Sequence, residues 1–161
     1  AHRYFVDGSP KAADAYFAGA WHTVLVETLA GGGKAVFALD ITDPTAHAPS
    51  KVLWEYTDTD LGYPLGEASI VRMANGEWAA VFGNGYLSTS HSAVLYVVNI
   101  QTGALIRKID TGVGAATPVA SQNGLAAPTV VDTNNDRIAD AAYAGDLMGN
   151  MWKFDLCNAN S

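Results

Sequence analysis

Residues 68–110 read ASIVRMANGEWAAVFGNGYLSTSHSAVLYVVNIQTGALIRKID. They divide into four short apolar runs separated by turn residues. ASIVRMA and EWAAVFGNG flank Asn75-Gly76, a strong hairpin signal because both residues tolerate the positive φ that a two-residue turn demands. SAVLYVVNI follows the polar connection LSTSH, and Gln101-Thr102-Gly103 turns the chain into ALIRKID. Apolar residues at i, i+3, i+4 and i+7 over longer windows, which a helical fold requires, are scarce. The expectation is a four-stranded antiparallel sheet.

The same plan recurs. GKAVFALDITDP, SAVLYVVNIQTG and GNMWKFDL each place Asp or Asn at the end of an apolar strand, at Asp40, Asn99 and Asp155, 59 and 56 residues apart. A period slightly above fifty filled with short strands points to propeller blades of about 40–50 residues or more. The fold expected is all-β, a β-propeller fragment of about three blades spanning approximately 1–60, 61–115 and 116–161. In the first unit WHTVLVETL and KAVFALDI turn at Gly31-Gly32-Gly33, and KVLWEY closes the blade. DGSPKAADAYFAGA before Trp21 reads as a long insertion or irregular loop. Trp54, Tyr56, Trp78, Phe82, Tyr96, Trp152 and Phe154 are expected to pack between blades rather than to form a ligand platform. In the last unit APTVVD aligns with ASIVRM and IADAAYAGD with EWAAVFGNG. DTNNDR therefore falls where the middle unit has its Asn-Gly turn.

That enlarged turn carries the chemistry. DTNNDRIAD, residues 132–140, has Asp132, Asn134, Asp136 and Asp140 at steps of two, two and four. It is either a polar turn or a coil around a hard cation, and the spacing favours the cation. Compact Ca²⁺ loops supply oxygens from positions 1, 3, 5, 7 and 9, here Asp132, Asn134, Asp136, the backbone carbonyl of Ile138 and Asp140. Oxygen-only ligation favours Ca²⁺ over zinc, and an all-protein cage disfavours Mg²⁺. A helix-flanked loop would have Gly at position 6 and Glu at position 12. This one has Arg137 and Tyr143, so Asp140 must compensate.

Composition excludes several classes. The 161 residues are 49% hydrophobic and 16% charged, a globular balance able to bury a core. A formal net charge of −7 without a Lys/Arg cluster argues against nucleic acid. No apolar run is long enough to span a membrane. Cys157, the single cysteine, is either an incidental thiol or paired with sequence elsewhere. A start at Ala1 reads as an excised piece or mature product. His2, His22, His47 and His91 lack metal-ligand spacing and read as surface or packing residues. GNGYLS and GGGKA lack the features of dinucleotide and phosphate loops, and no Gly-x-Ser-x-Gly elbow is present. Asp146 and Asp155 read as strand-end turn residues. The chain is read as non-enzymatic.

GGGKAVFALDITDP, VFGNGY and APTVVDTNNDRIADAAYAGDLMGNMWKFDL resemble the C-terminal propeller of the PilY/PilC-type proteins, type IV pilus biogenesis factors and tip-associated adhesins. The resemblance implies a modified, quinoprotein-like seven-bladed propeller, of which three blades would be under half. It also implies that a Ca²⁺ loop matches Asp132, Asn134, Asp136, Ile138 and Asp140. Ca²⁺ occupancy would then regulate pilus extension against retraction, twitching motility and surface attachment. The implied partners are pilin or minor pilins, a host or surface receptor, and the remaining blades. The implied location is the cell surface, at the pilus tip or outer membrane, reached through the periplasm. Two rivals stand beside it: a propeller segment whose calcium only stiffens a hairpin, and a piece of a quinoprotein dehydrogenase. The second needs a complete ring around its cofactor, which three blades do not provide.

Overall fold

The computed structural model describes residues 2–46, 48–114 and 122–157. His47 and the expected blade division at 115/116 lie outside them. The fold is all-β and antiparallel. The first sheet runs in order β1 (Lys11–Phe17), β2 (Ala20–Thr28), β3 (Val36–Asp40) and β4 (Val52–Tyr56). The second repeats the order with β5 (Ser69–Arg72), β6 (Trp78–Gly83), β7 (Val94–Asn99) and β8 (Leu105–Asp110). The third holds β9 (Thr129–Val131), β10 (Ala141–Gly145) and β11 (Met151–Asp155). First strands approach one another across the sheets, β1 to β5 and β5 to β9, so they line the axis. The three sheets do not close into a ring.

The middle sheet is buried on both faces, which is why β6 and β7 read as continuous apolar runs. Ala80, Phe82, Val94, Tyr96 and Val98 turn towards the first sheet and meet Val24, Val26, Val36, Ala38 and Trp54. Ala79, Val81, Leu95 and Val97 turn the other way and meet Leu125, Ala142, Ala144, Phe154 and Leu156. The expected use of the aromatics is seen here. Phe82 and Tyr96 stack at 5.6 Å and Tyr56 meets both edge-on. Each such buried side chain contributes about 1.5–3 kcal/mol from burial. The Trp54 indole donates to the Ile100 carbonyl at 2.8 Å, and Gly103, at φ 72°, leaves room for it. A Cβ on Gly103 would lie 2.7 Å from that of Trp54.

Strand ends repeat as closely as strands. Asp40 accepts from the Thr42 amide, Asn99 from those of Gln101 and Thr102, and Asp155 from that of Cys157. An Asp or Asn side chain that bonds the amide two residues on starts each turn.

Three expectations need correction. The segment read as irregular before Trp21 contains β1, whose seven residues pair with β2 in unbroken register. Its Ala-rich, weakly alternating sequence hid the strand. Second, the two-residue turn belongs to Ala18-Gly19, where both residues have positive φ and Phe17 pairs with Ala20. Asn75-Gly76 instead closes a three-residue loop. The Gly76 amide bonds the Met73 carbonyl, the Met73 amide bonds the Glu77 carbonyl, and of Asn75 and Gly76 only Gly76 has positive φ. This is a type I turn followed by a left-handed residue. Third, the pairings Val71↔Ala79 and Val131↔Ala141 make those residues equivalent. The third unit is thus shifted one residue from the alignment of APTVVD and IADAAYAGD given above, and Asn84 corresponds to Asp146.

Candidate cation loop

Between Val131 and Ala141 the chain needs nine residues, against seven between Val71 and Ala79. The acidic loop is the hairpin between the first two strands of its sheet, in the position expected. It coils around Asp132. That carboxylate's Oδ1 accepts from the amides of Asn134 at 3.2 Å, Asn135 at 2.7 Å and Asp136 at 3.3 Å. Its Oδ2 accepts from the Arg137 amide at 2.7 Å. The coil needs left-handed backbone at Asn135, φ 63°, and Arg137, φ 67°. Asn tolerates this conformation and Arg pays about 1 kcal/mol or more for it. Arg137 occupies the position where a glycine would be unstrained.

Asn134 and Asp136 extend the coil. The Asn134 Oδ1 accepts from the Asp136 amide at 2.9 Å, its Nδ2 donates to Asp136 Oδ2 at 3.1 Å, and Asp136 Oδ1 accepts from the Ile138 amide at 2.8 Å. Asp140 sits at the base. Its amide bonds the Val131 carbonyl, its Oδ2 accepts from the Thr133 amide and hydroxyl, and its Oδ1 accepts from the Cys157 thiol at 3.1 Å. The Thr133 hydroxyl and amide, then Cys157, hold the Asp140 carboxyl below the usual carboxylate range. In return Asp140 pushes the Cys157 thiol up, so at neutral pH Cys157 is a protonated donor.

The structure thus brings Asp132, Asn134 and Asp136 onto one coil and holds Asp140 against Thr133. Among the described residues, no three acidic, histidine or cysteine side chains converge on a common metal point. The donor set fits a hard cation: three carboxylates, an amide oxygen and a backbone carbonyl, exposed or half-buried and with no ion pair to a cationic side chain among the described residues. Their lone pairs face backbone amides, so ligation calls for the Asn134 amide and the Asp140 carboxylate to turn. Sequence reasoning missed Thr133 and Cys157 as the groups that hold Asp140. Thr133 is adjacent in the chain, but Cys157 arrives only through β11, whose following residue Leu156 bonds the Asp140 carbonyl.

Other titratable groups serve the fold. Asp146 accepts from Asn123, the Asn150 amide and side chain, and the Trp152 indole. Desolvation would raise its pKa, but these bonds outweigh it and hold the group at about 2. It is a turn residue, as expected, and it also ties down the segment that enters the third sheet. Asn84 does the equivalent in the second sheet, donating to the carbonyls of Asp60 and Ser92 and accepting from the amides of Val94 and Leu125. Lys108 clasps Asp58 and Asp60 on the connection between the first two sheets. His22 stacks on Phe17 at 4.0 Å and bonds Asp40 at 3.1 Å, a packing role. Among the described residues no helix is long and apolar enough to cross a membrane.

Three antiparallel sheets about an axis, one carrying an acidic hairpin at its axial edge, define a segment of a β-propeller. The chain belongs to the PilY1 beta-propeller domain family, whose family model matches residues 1–161. It is 49% identical over 159 residues to the type IV pilus biogenesis factor PilY1 of Pseudomonas aeruginosa, covering 97% of this chain and 13% of that protein. A PilY1 homolog of Xylella fastidiosa is 47% identical over 163 residues, covering 96% of this chain and 11% of the homolog. The crystal structure of the P. aeruginosa PilY1 C-terminal domain superposes with a TM-score of 0.84 at 50% identity, covering 94% of this chain and 30% of that one. The chain therefore spans roughly an eighth of the curated relatives it matches.

Proposed function

We propose that this chain is the calcium-binding propeller segment of a type IV pilus biogenesis and adhesion protein. Ca²⁺ held by Asp132, Asn134, Asp136, the Ile138 carbonyl and Asp140 would regulate pilus extension against retraction, twitching motility and surface attachment. Family membership over the whole chain supports the pilus role. The observation that carries the cation is the hairpin itself, lengthened to nine residues and coiled so that alternate oxygen-bearing side chains surround one turn of backbone. With no counter-cation paired to them, these carboxylates repel one another, and a divalent ion relieves that repulsion.

In this reading the protein works at the cell surface, at the pilus tip or outer membrane, after passage through the periplasm. Its partners are pilin or minor pilins, the remaining blades of the propeller, and a host or surface receptor. The role is non-enzymatic, in keeping with relatives named as biogenesis factors. A second reading, that calcium only stiffens the hairpin, draws on the backbone amides that already satisfy Asp132. Calorimetric titration with Ca²⁺ of this chain and of Asp136→Ala tests the site: a saturable heat is expected from the first and none from the second. Equal heats would remove the site. If Asp132→Ala lowers thermal stability yet leaves piliation and twitching intact, the stabilising reading replaces the regulatory one.

A further inference from the structure

Three equivalent backbone bonds fix one place in each sheet. The residue after the Asp or Asn that ends the third strand donates its amide to a carbonyl on or beside the second strand. Ile41 donates to Thr23, Ile100 to Trp78 and Leu156 to Asp140, at 2.9, 2.9 and 2.8 Å. The next residue, Thr42, Gln101 or Cys157, is thereby held beside that partner. In the first sheet the Thr42 hydroxyl accepts from the Thr23 amide at 3.0 Å. In the third sheet the exposed Cys157 thiol takes the same place and meets a carboxylate. Its Sγ donates to Asp140 Oδ1 at 3.1 Å and lies 3.5 Å from the Asp140 carbonyl oxygen. The Cys157 amide is itself fixed by Asp155 Oδ1 at 2.9 Å. The thiol is therefore placed by β11 and its turn, independently of the acidic loop.

Asp140 is held differently from the other acids of the loop. Asp132 and Asp136 accept from groups of the coil between Asn134 and Ile138. Asp140 accepts on Oδ2 from the Thr133 amide and hydroxyl and on Oδ1 from Cys157. Both oxygens are thus engaged away from the coil, and among the described residues no three acidic side chains converge on a common point. To join an ion held by Asp132, Asn134 and Asp136, the Asp140 carboxylate must turn out of these bonds. Thr133 belongs to the loop and moves with it. Cys157 belongs to the sheet and does not, so its bond opposes the turn.

We propose that Cys157 is a positioning residue that restrains Asp140 in its unligated arrangement and so lowers the affinity of the loop for Ca²⁺. This rests on the cation reading and adds to it a residue outside the ligand set. Because binding linkage is reciprocal, the ion in turn releases the Cys157 side chain, which ties the loop to the turn after β11. Calorimetric titration of the full chain with Ca²⁺ compares the native protein, Cys157→Ala and Cys157→Ser, and the first two again with Asp140→Ala. Cys157→Ala should bind about fivefold more tightly, the effect of losing one partly solvated hydrogen bond. Cys157→Ser, whose hydroxyl is again a donor, should return towards the native affinity. With Asp140→Ala present, Cys157→Ala should change nothing, because the thiol acts through that carboxylate alone. Luminescent Tb³⁺ replaces Ca²⁺ if Asp140→Ala leaves no measurable calcium heat. Thermal melts in chelator verify folding, and Cys157→Val, equally without a donor, serves if Cys157→Ala melts early. Unchanged or weaker binding by Cys157→Ala overturns the proposal, as does a tightening that persists undiminished without Asp140. Native heats with an indifferent Cys157→Ala remove this proposal alone, whereas no heat from the native chain removes the cation reading and this with it.

Discussion

The hairpins at 72–78 and 132–140 hold equivalent places in neighbouring sheets and solve the same problem differently. The first turns in three residues, puts its one left-handed conformation on Gly76 and uses Asn75 to tie the turn to Glu77. The second is two residues longer, puts left-handed conformations on Asn135 and Arg137, and winds around a carboxylate. A similar exchange separates Asn84 from Asp146. The second sheet uses a neutral amide to bind its neighbouring connection, and the third uses an anion. One fold thus accepts an uncharged or a charged solution at each place, and the charged one brings dependence on pH.

The largest expected effect breaks the equivalence of the two hairpins. If only the native loop binds the ion, Ca²⁺ at a hundred times its dissociation constant stabilises the chain by about 2.7 kcal/mol. Urea denaturation with Ca²⁺ or with chelator measures this. Amide exchange should slow at 133–138 and stay unchanged at 74–76; slowing at both hairpins or neither would contradict the assignment.

The next effect separates Asp146 from Asn84. Asp146→Ala should cost about 1–2 kcal/mol at pH 7, towards the low end because the carboxylate is partly solvated. The Asp146 pKa is depressed from 3.8 to about 2 in the folded state. Its contribution is therefore present above pH 4 and lost as the pH falls towards 2. The stability gap between the native chain and Asp146→Asn should narrow across that window, whereas the cost of Asn84→Ala should not follow this titration. Denaturation curves at pH 7, 4 and 2.5 decide it.

The smallest effect lies in the backbone. Gly76, at φ 85°, has open space where a Cβ would go, so Gly76→Ala carries a conformational cost alone, about 1 kcal/mol. Arg137→Gly should act in the opposite direction, relieving up to about 1 kcal/mol of left-handed strain. Chemical denaturation of both variants shows whether the signs differ.

Much of this was legible in the chain. Strands with apolar faces announce themselves by alternation, and the Asp or Asn at 40, 99 and 155 marked the repeat because each opens the same kind of turn. The nine-residue loop was legible as an oxygen-rich insertion for the same reason: the spacing of its Asp and Asn residues is a property of consecutive residues. β1 was not, since an Ala-rich strand with only Ala15 fully buried carries little pattern of its own, and the register of the third unit slipped by one because no residue there announces its pairing partner.

What the sequence by itself determined is therefore the local part: strand positions, turn sites, the repeat and the acidic loop. Only the tertiary structure decided that Asn84 and Asp146 correspond and that Cys157 bonds Asp140. It alone placed Trp21 against Trp78. The three pairs lie 62, 17 and 57 positions apart. They depend on how the sheets stack about the axis, and the alternation within one strand carries no record of which neighbour it will face.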